Sequence, residues 1–363
     1  MQSKNYIYKL NISNYNNALQ NKNLEEVIDS KKKVNNVLSD AKKQAKLNVC
    51  LHCGEENPKF CNSHSIPRFL LKNIAPEGDI FNTNAIVKNP FRKDIDGLNR
   101  TGTFNLICRK CDAEIFSEYE NPYNYNKKPT GKMLAQIAMK NFLAKISKRK
   151  IEIEVDKCLE ALTGRNLRKE ISQLDLDEYM CGYKKAKKIA SKNNGCSENE
   201  YYMFFWIELG YVTPIVFQSS VVLIYDLEGN IINNVYNLSE EYKTEELHIN
   251  VFPFESRTVV FMFIDKNSKR YKSFYKQFNK KADSEKLRII NYIILSYSED
   301  VFFYKGIDHS ILGNKKLVYT VGKTSYFETT DKYVNPWNII KEDFDFSDID
   351  KVFNFLGEEN KIR

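Results

Sequence analysis

Glycine and proline are scarce, 14 and 9 in 363 residues, so little of the chain can be linker and most of it should be regular structure. No apolar run is long enough to span a bilayer. The opening residues, Met1-Gln-Ser-Lys-Asn-Tyr6, lack the apolar core of a secretory signal. These absences point to a cytoplasmic protein with no membrane partner. No internal repeat of fixed period is present, and residues 200–340 hold neither a glycine-rich phosphate loop nor a nucleophile triad. That stretch is silent on any small ligand it would sense. Histidine is limited to four positions, so any imidazole chemistry rests on very few residues.

The chain does have a hydrophobic content of 42%, with 23 Phe and 22 Tyr, enough for one large core or two to three smaller ones. A net charge of +8 and a pI near 8.8 suit a polyanion partner, although many soluble proteins without one are as basic. Eight cysteines in a reducing compartment read as metal ligands or thiols rather than disulfides. Cys158, Cys181 and Cys196 follow no pairing rule.

The other cysteines cluster in one stretch. Cys50-Leu-His-Cys53 and Cys108-Arg-Lys-Cys111 are two knuckles, each turning a pair of thiolates toward one point. Four thiolates close a tetrahedral shell around a structural zinc. Such a site contributes on the order of 10 kcal/mol to folding. His52 and Cys61 are alternative ligands, but the symmetric set of four is simpler. Between the knuckles lies Cys61-Asn-Ser-His-Ser-Ile-Pro-Arg-Phe69, long enough to carry a working element with His64 inside it.

Cys-x-x-Cys, then Ser63-His64-x-Ile66-Pro67, then Cys-x-x-Cys-Asp112 and a helix together resemble the HNH endonucleases. More narrowly, the stretch is similar to the zinc-stapled HNH proteins of bacteria and phages. The resemblance covers about 75 residues, a fifth of the chain. It implies a ββα-metal fold, with the histidine on the first strand of a hairpin and a helix packed beneath. It implies that His64 is the general base taking a proton from water, for which a neutral imidazole near pH 7 is suited. It also implies one Mg²⁺ or Mn²⁺ on a phosphate oxygen, held by carboxylates. Asp112 follows the second knuckle, where the resemblance implies that it orients the hairpin loop or the histidine and supports the metal, and Glu120 stands about two helical turns on as the first metal-ligand candidate, with Glu114 and Glu118 as alternatives. Arg68 is the expected phosphate contact, and Arg92, Lys93, Arg100, Arg109 and Lys110 add basic charge around it. Ser63 stands directly before the histidine, where the family commonly has an acidic residue or His, and no His follows the second knuckle.

The rest of the chain yields a coarse map. Residues 1–18 read as irregular or as an edge strand. A helix is expected over 23–46, its lysines either solvated or tracking a phosphate backbone. Short strands including Ala85-Ile-Val87 are expected in a polar excursion over 82–100, then a strand over 103–107 and a helix over 112–119. Helices follow at 131–150, 153–162 and 175–190, with Lys140, Lys145, Lys148, Arg149 and Lys150 on the far side of the first. Residues 191–197 are the candidate boundary. Beyond it come strands at 201–207 and 215–225, a hairpin return at 231–236, a strand at 258–264, helices at 271–278 and 284–296, and a last strand at 316–320. Asp343, Asp345, Asp348 and Asp350 alternate with aromatics in a tail expected to be solvated.

The expected fold class is α+β: a helical lead-in (1–48), an HNH-like ββα-metal or treble-clef zinc module (49–125), a helical region (126–196) and a mixed α/β C-terminal domain for recognition or regulation (197–363). The expected activity is endonucleolytic cleavage of nucleic acid, double-stranded DNA first, with antiphage defence as the context suggested by analogy. A homo-oligomer or a regulatory protein partner fits this reading. The alternative is a non-catalytic, zinc-dependent factor that binds nucleic acid or protein.

Overall fold

From Met133 to Met139 the sequence is apolar at every position but Gln136, which a helix tolerates only when it is surrounded. In the computed structural model, which describes residues 24–88, 92–163, 169–192, 200–237, 239, 241–322 and 344–363, that helix is the centre of the molecule. The helices are α1 (Leu24–Gln44), α2 (Arg68–Ile74), α3 (Asn84–Val87), α4 (Arg109–Ile115), α5 (Gly131–Thr163), α6 (Lys169–Ala190), α7 (Lys272–Asn279), α8 (Asp283–Tyr297), α9 (His309–Leu312) and α10 (Lys315–Val321). The strands are β1 (Ser63–His64), β2 (Asp79–Asn82), β3 (Ile95–Gly97), β4 (Thr103–Phe104), β5 (Tyr201–Leu209), β6 (Ile215–Val221), β7 (Leu247–Pro253), β8 (Thr258–Asp265) and β9 (Phe302–Phe303). The chain is therefore mixed α and β. None of the described helices is long and apolar enough to cross a membrane.

Two sheets form. β1 pairs with β4 alone, and the other strands make one antiparallel sheet in the order β3-β2-β9-β6-β7-β8-β5. The central strands β6 and β7 are buried along their whole length because both faces are covered. One face carries Phe217, Val221, Ile249, Val251 and Met262 against Phe274, Ile290 and Ile294 of α7 and α8. The other carries Val216, Phe252, Phe261 and Phe263 against Leu134, Ile137, Ala138 and Phe142 of α5. On that second face, Gln218, Ser220, His248 and Asn250 are also buried. α5 and α6 pack along each other, and α1 lies on α5, burying Ala41 and Ala45. Gly182 of α6 gives Phe142 its place: a Cβ there would stand 2.4 Å from Phe142 Cζ.

Several expectations are corrected. Residues 153–162 are not a separate helix, since α5 runs unbroken from Gly131 to Thr163, with Arg149 and Glu152 paired at 3.0 Å across the supposed gap. Ala85-Ile-Val87 is helical: the Asn82 side chain accepts the Asn84 N–H at 2.8 Å and starts a turn instead of a strand. Residues 316–320 lie in α10, whose start is capped by the Asn314 side chain accepting the Lys316 and Leu317 N–H groups. The turn at 227–230 exists, tied by the Asp226 carboxylate, but only a single bridge, Tyr225 to Ile231, follows it. β6 pairs instead with β7, a strand not expected from the sequence, and with β9. The strand over 103–107 is confined to β4, and the helix over 112–119 starts earlier and stops at Ile115. In the tail, Phe344 and Phe346 are buried and Asp348 pairs with Lys316 and Lys351, so this segment is docked. Residues 1–18 and most of 191–197 lie outside the described residues.

The sheet also crosses the expected domain lines. β2 and β3 lie within 49–125, yet β2 pairs with β9, Phe81 opposite Phe303. α5, from the helical region, shares a single core with the cysteine-rich stretch and with the sheet of the C-terminal part.

Candidate metal centre and the histidine strand

The first knuckle turns sharply. Cys50 N–H donates to Glu55 O and Gly54 N–H to Cys50 O, both at 2.9 Å, with Gly54 at φ +78°, a conformation suited to glycine. The second knuckle is the start of α4, where Cys108 is the N-cap and its sulfur accepts the Cys111 N–H. Together they place the four sulfurs of Cys50, Cys53, Cys108 and Cys111 within 4.8 Å of one another. Cys50 to Cys111 and Cys53 to Cys108 are each 4.0 Å. A tetrahedron with Zn–S bonds of about 2.3 Å has edges of about 3.8 Å, so the donor set and its spacing fit structural zinc. Burial alone would push the Cys50 thiol up, but the N–H groups of Cys53, Cys108 and His52 outweigh it and bring the thiol down to about 7. Burial and the neighbouring sulfurs push Cys111 up. A divalent cation relieves this conflict by stabilising all four thiolates at once.

The two alternative ligands are placed elsewhere. His52 Nδ1 lies 2.9 Å from the Tyr183 hydroxyl and Lys187 donates to its carbonyl, so His52 ties the knuckle to α6. Burial and the Lys187 charge lower its imidazole to about 4. Cys61 points to the Ile107 carbonyl, and burial with the nearby Asp112 charge pushes its thiol up to about 11.

β1 is short, but its side chains alternate as a strand requires. Cys61 and Ser63 face inward toward Asp112. Asn62 and His64 face the other way, Asn62 to Asn105 and His64 to the loop at 98–102. His64 pairs with Thr103 and Ser63 with the buried Phe104. His64 Nε2 is 2.9 Å from Leu98 O. A carbonyl only accepts, so Nε2 carries the proton and Nδ1 is the ring's acceptor. The loop is held from three sides. Arg68 donates to the Asn99 side chain at 3.0 Å, and Ser65 N–H donates to Gly102 O at 2.8 Å. Gly102 sits at φ +57°, and a Cβ on it would lie 2.6 Å from Ser65 Oγ and 3.2 Å from the Phe302 ring. Arg68 and Arg100 are exposed beside this loop.

The expected metal carboxylates come together, but on the opposite face from His64. Asp112 Oδ1 accepts from Ser63 Oγ at 2.5 Å and from Lys140 Nζ at 2.9 Å, while Glu120 Oε1 lies 3.0 Å from the same Nζ. Burial alone would raise the Asp112 carboxyl, and the Lys140 ammonium and the Ser63 hydroxyl hold it below its usual range. Of the two alternatives, Glu118 is held by Lys132 and Thr130, whereas Glu114 is exposed on α4. Among the described residues, the four cysteines are the one group of three or more His, Cys, Asp and Glu whose ligand atoms converge, and neither Asp112 nor Glu120 is turned toward His64. Lys140 was expected on a solvated helix face and is instead 1% exposed, with its ammonium 3.8 Å from the Phe116 ring centre. The clue was available in Met133 to Leu143, where apolar residues stand on every side of Lys140 and a lysine must find partners. Comparisons with protein-family models, with curated proteins and with solved structures give no match for this chain.

Proposed function

We propose that the chain is a zinc-stapled nuclease of the HNH kind that hydrolyses phosphodiester bonds in nucleic acid, DNA first. The observation that carries this reading is the placement of His64. It sits on a strand whose partner leads directly into the second knuckle and α4, with its tautomer set by Leu98 O. With Nε2 engaged by that carbonyl, Nδ1 is left with the lone pair that takes a proton from water in this reading. The resulting hydroxide oxygen bonds to phosphorus, the bond to the departing sugar oxygen breaks, and that oxygen takes a proton from solvent. Arg68, which holds Asn99 of the loop that His64 contacts, and the exposed Arg100 within that loop supply positive charge for the phosphate backbone. Asp112 and Glu120, on the far face, take no part in this step.

A second reading is favoured by the engagement of Asp112 and Glu120 with Lys140: a zinc-stapled module that binds nucleic acid without cutting it. Incubating plasmid and single-stranded DNA with the wild type and His64→Ala, with and without Mg²⁺ or Mn²⁺, separates the two. Zinc content is measured in both proteins. Cleavage lost in a zinc-loaded His64→Ala supports the nuclease reading. Retarded migration without cleavage supports the binding module, and cleavage that survives the substitution refutes His64 as the base.

A further inference from the structure

Three oxygens from three different parts of the chain converge on one point. Ser63 Oγ on β1 is 2.9 Å from Lys140 Nζ, Asp112 Oδ1 on α4 is 2.9 Å, and Glu120 Oε1 in the turn beyond α4 is 3.0 Å. Two carboxylates and a hydroxyl are the donors a hard divalent cation seeks. The point they surround holds an ammonium. The lysine reaches it from α5, is 1% exposed, and has the faces of Phe116 and Phe104 at 3.8 and 5.9 Å, which also favour a cation.

We propose that Ser63, Asp112 and Glu120 form a cation site whose resident ion is the Lys140 ammonium, and that this site takes no divalent metal in the native protein. The oxygen distances match N⁺–H···O contacts, and metal–oxygen bonds of about 2.1 Å would require the three donors to close inward. An entering metal would meet a like charge at the centre. Displacing the ammonium would leave a positive charge among apolar side chains, the costly way to break a buried ion pair. The helix offers no other exit, because residues 133–143 are buried on all sides. The lysine thus does electrostatically what a metal does in an acidic oxygen cluster, and it links α5 to the strand that carries His64.

The test reads metal binding and not cleavage, so its outcome is independent of whether the chain cuts nucleic acid. Zinc-loaded full-length protein is titrated with Mn²⁺, and bound ion is followed by loss of the free-Mn²⁺ electron paramagnetic resonance signal. The wild type and Asp112→Asn are expected to bind Mn²⁺ alike and weakly. Lys140→Met, which keeps the buried stem and removes the charge, is expected to gain one site at least tenfold tighter, lost again in Lys140→Met/Asp112→Asn. The proposal is overturned if the wild type binds one Mn²⁺ that Asp112→Asn or Glu120→Gln removes. It is also overturned if folded Lys140→Met binds no more tightly than the wild type. Should Lys140→Met fail to fold, the comparison of wild type with Asp112→Asn and Glu120→Gln decides alone.

Discussion

His248 gives the sharpest stability test in the molecule. Its ring lies flat on Phe263, with centroids 4.5 Å apart, and Phe142 and Tyr201 present their rings edge-on around it. Asn141 donates to Nδ1 at 3.0 Å, and Gln218 fixes that amide by donating to its oxygen. Lys145, Glu246 and Asp265 are the charged groups that act on it. Burial dominates, and the imidazole falls from 6.5 to about 4. A histidine held neutral in the folded state contributes stability that is complete above the unfolded value near 6.5 and is lost as pH falls toward 4. Between pH 7 and pH 5 the loss from this residue is about 2 kcal/mol. Urea denaturation of the wild type and His248→Gln at both pH values measures it, since glutamine keeps an acceptor near Asn141 and does not titrate. The wild type should lose about 2 kcal/mol more than the variant over this range. His52, also lowered to about 4, titrates equally in both proteins and cancels. An equal loss in the two would show that His248 is protonated without cost, and the argument from burial would fail.

Cys53→Ser should abolish stoichiometric zinc binding and unfold the knuckles, seen as loss of metal in elemental analysis and as new protease cleavage near residues 50–60. Gly182→Ala should lower stability by about 1–3 kcal/mol in denaturant melts, because the new methyl group would drive the buried Phe142 ring out of its place.

The clustering of the four cysteines was legible because two Cys-x-x-Cys pairs state their chemistry at a spacing of three. The surroundings of His64 were only half legible. Its place on a strand was implied by the resemblance, but strand alternation sends Ser63 and His64 to opposite faces, and that is decisive only because Asp112 lies with Ser63. Glu120 was placed two turns along a helix that ends at Ile115. It reaches Asp112 through their common partner Lys140, not through helical periodicity. β7 was hidden because His248 and Asn250 interrupt its apolar run. Leu247, Ile249 and Val251 face one core while the polar pair faces α5, an alternation with both faces buried that hydropathy alone does not separate from a loop. α1 and α8 were legible because their apolar periodicity is uninterrupted, and β8 because its run of β-branched and aromatic residues is continuous, whereas α5 was split at the charged stretch Lys148-Arg-Lys150 that it in fact runs through.

The 38 residues between β1 and β4 do more than separate the knuckles. They leave the small strand pair, lend two strands to the border of the large sheet, and return through Leu98 to grip the imidazole. The cysteine-rich stretch is therefore not a portable cassette. Excised or grafted onto another scaffold, it would leave β9 behind, and with it Phe302, against which the returning loop rests. The histidine's bearing is thus set in part by β9, far along the chain.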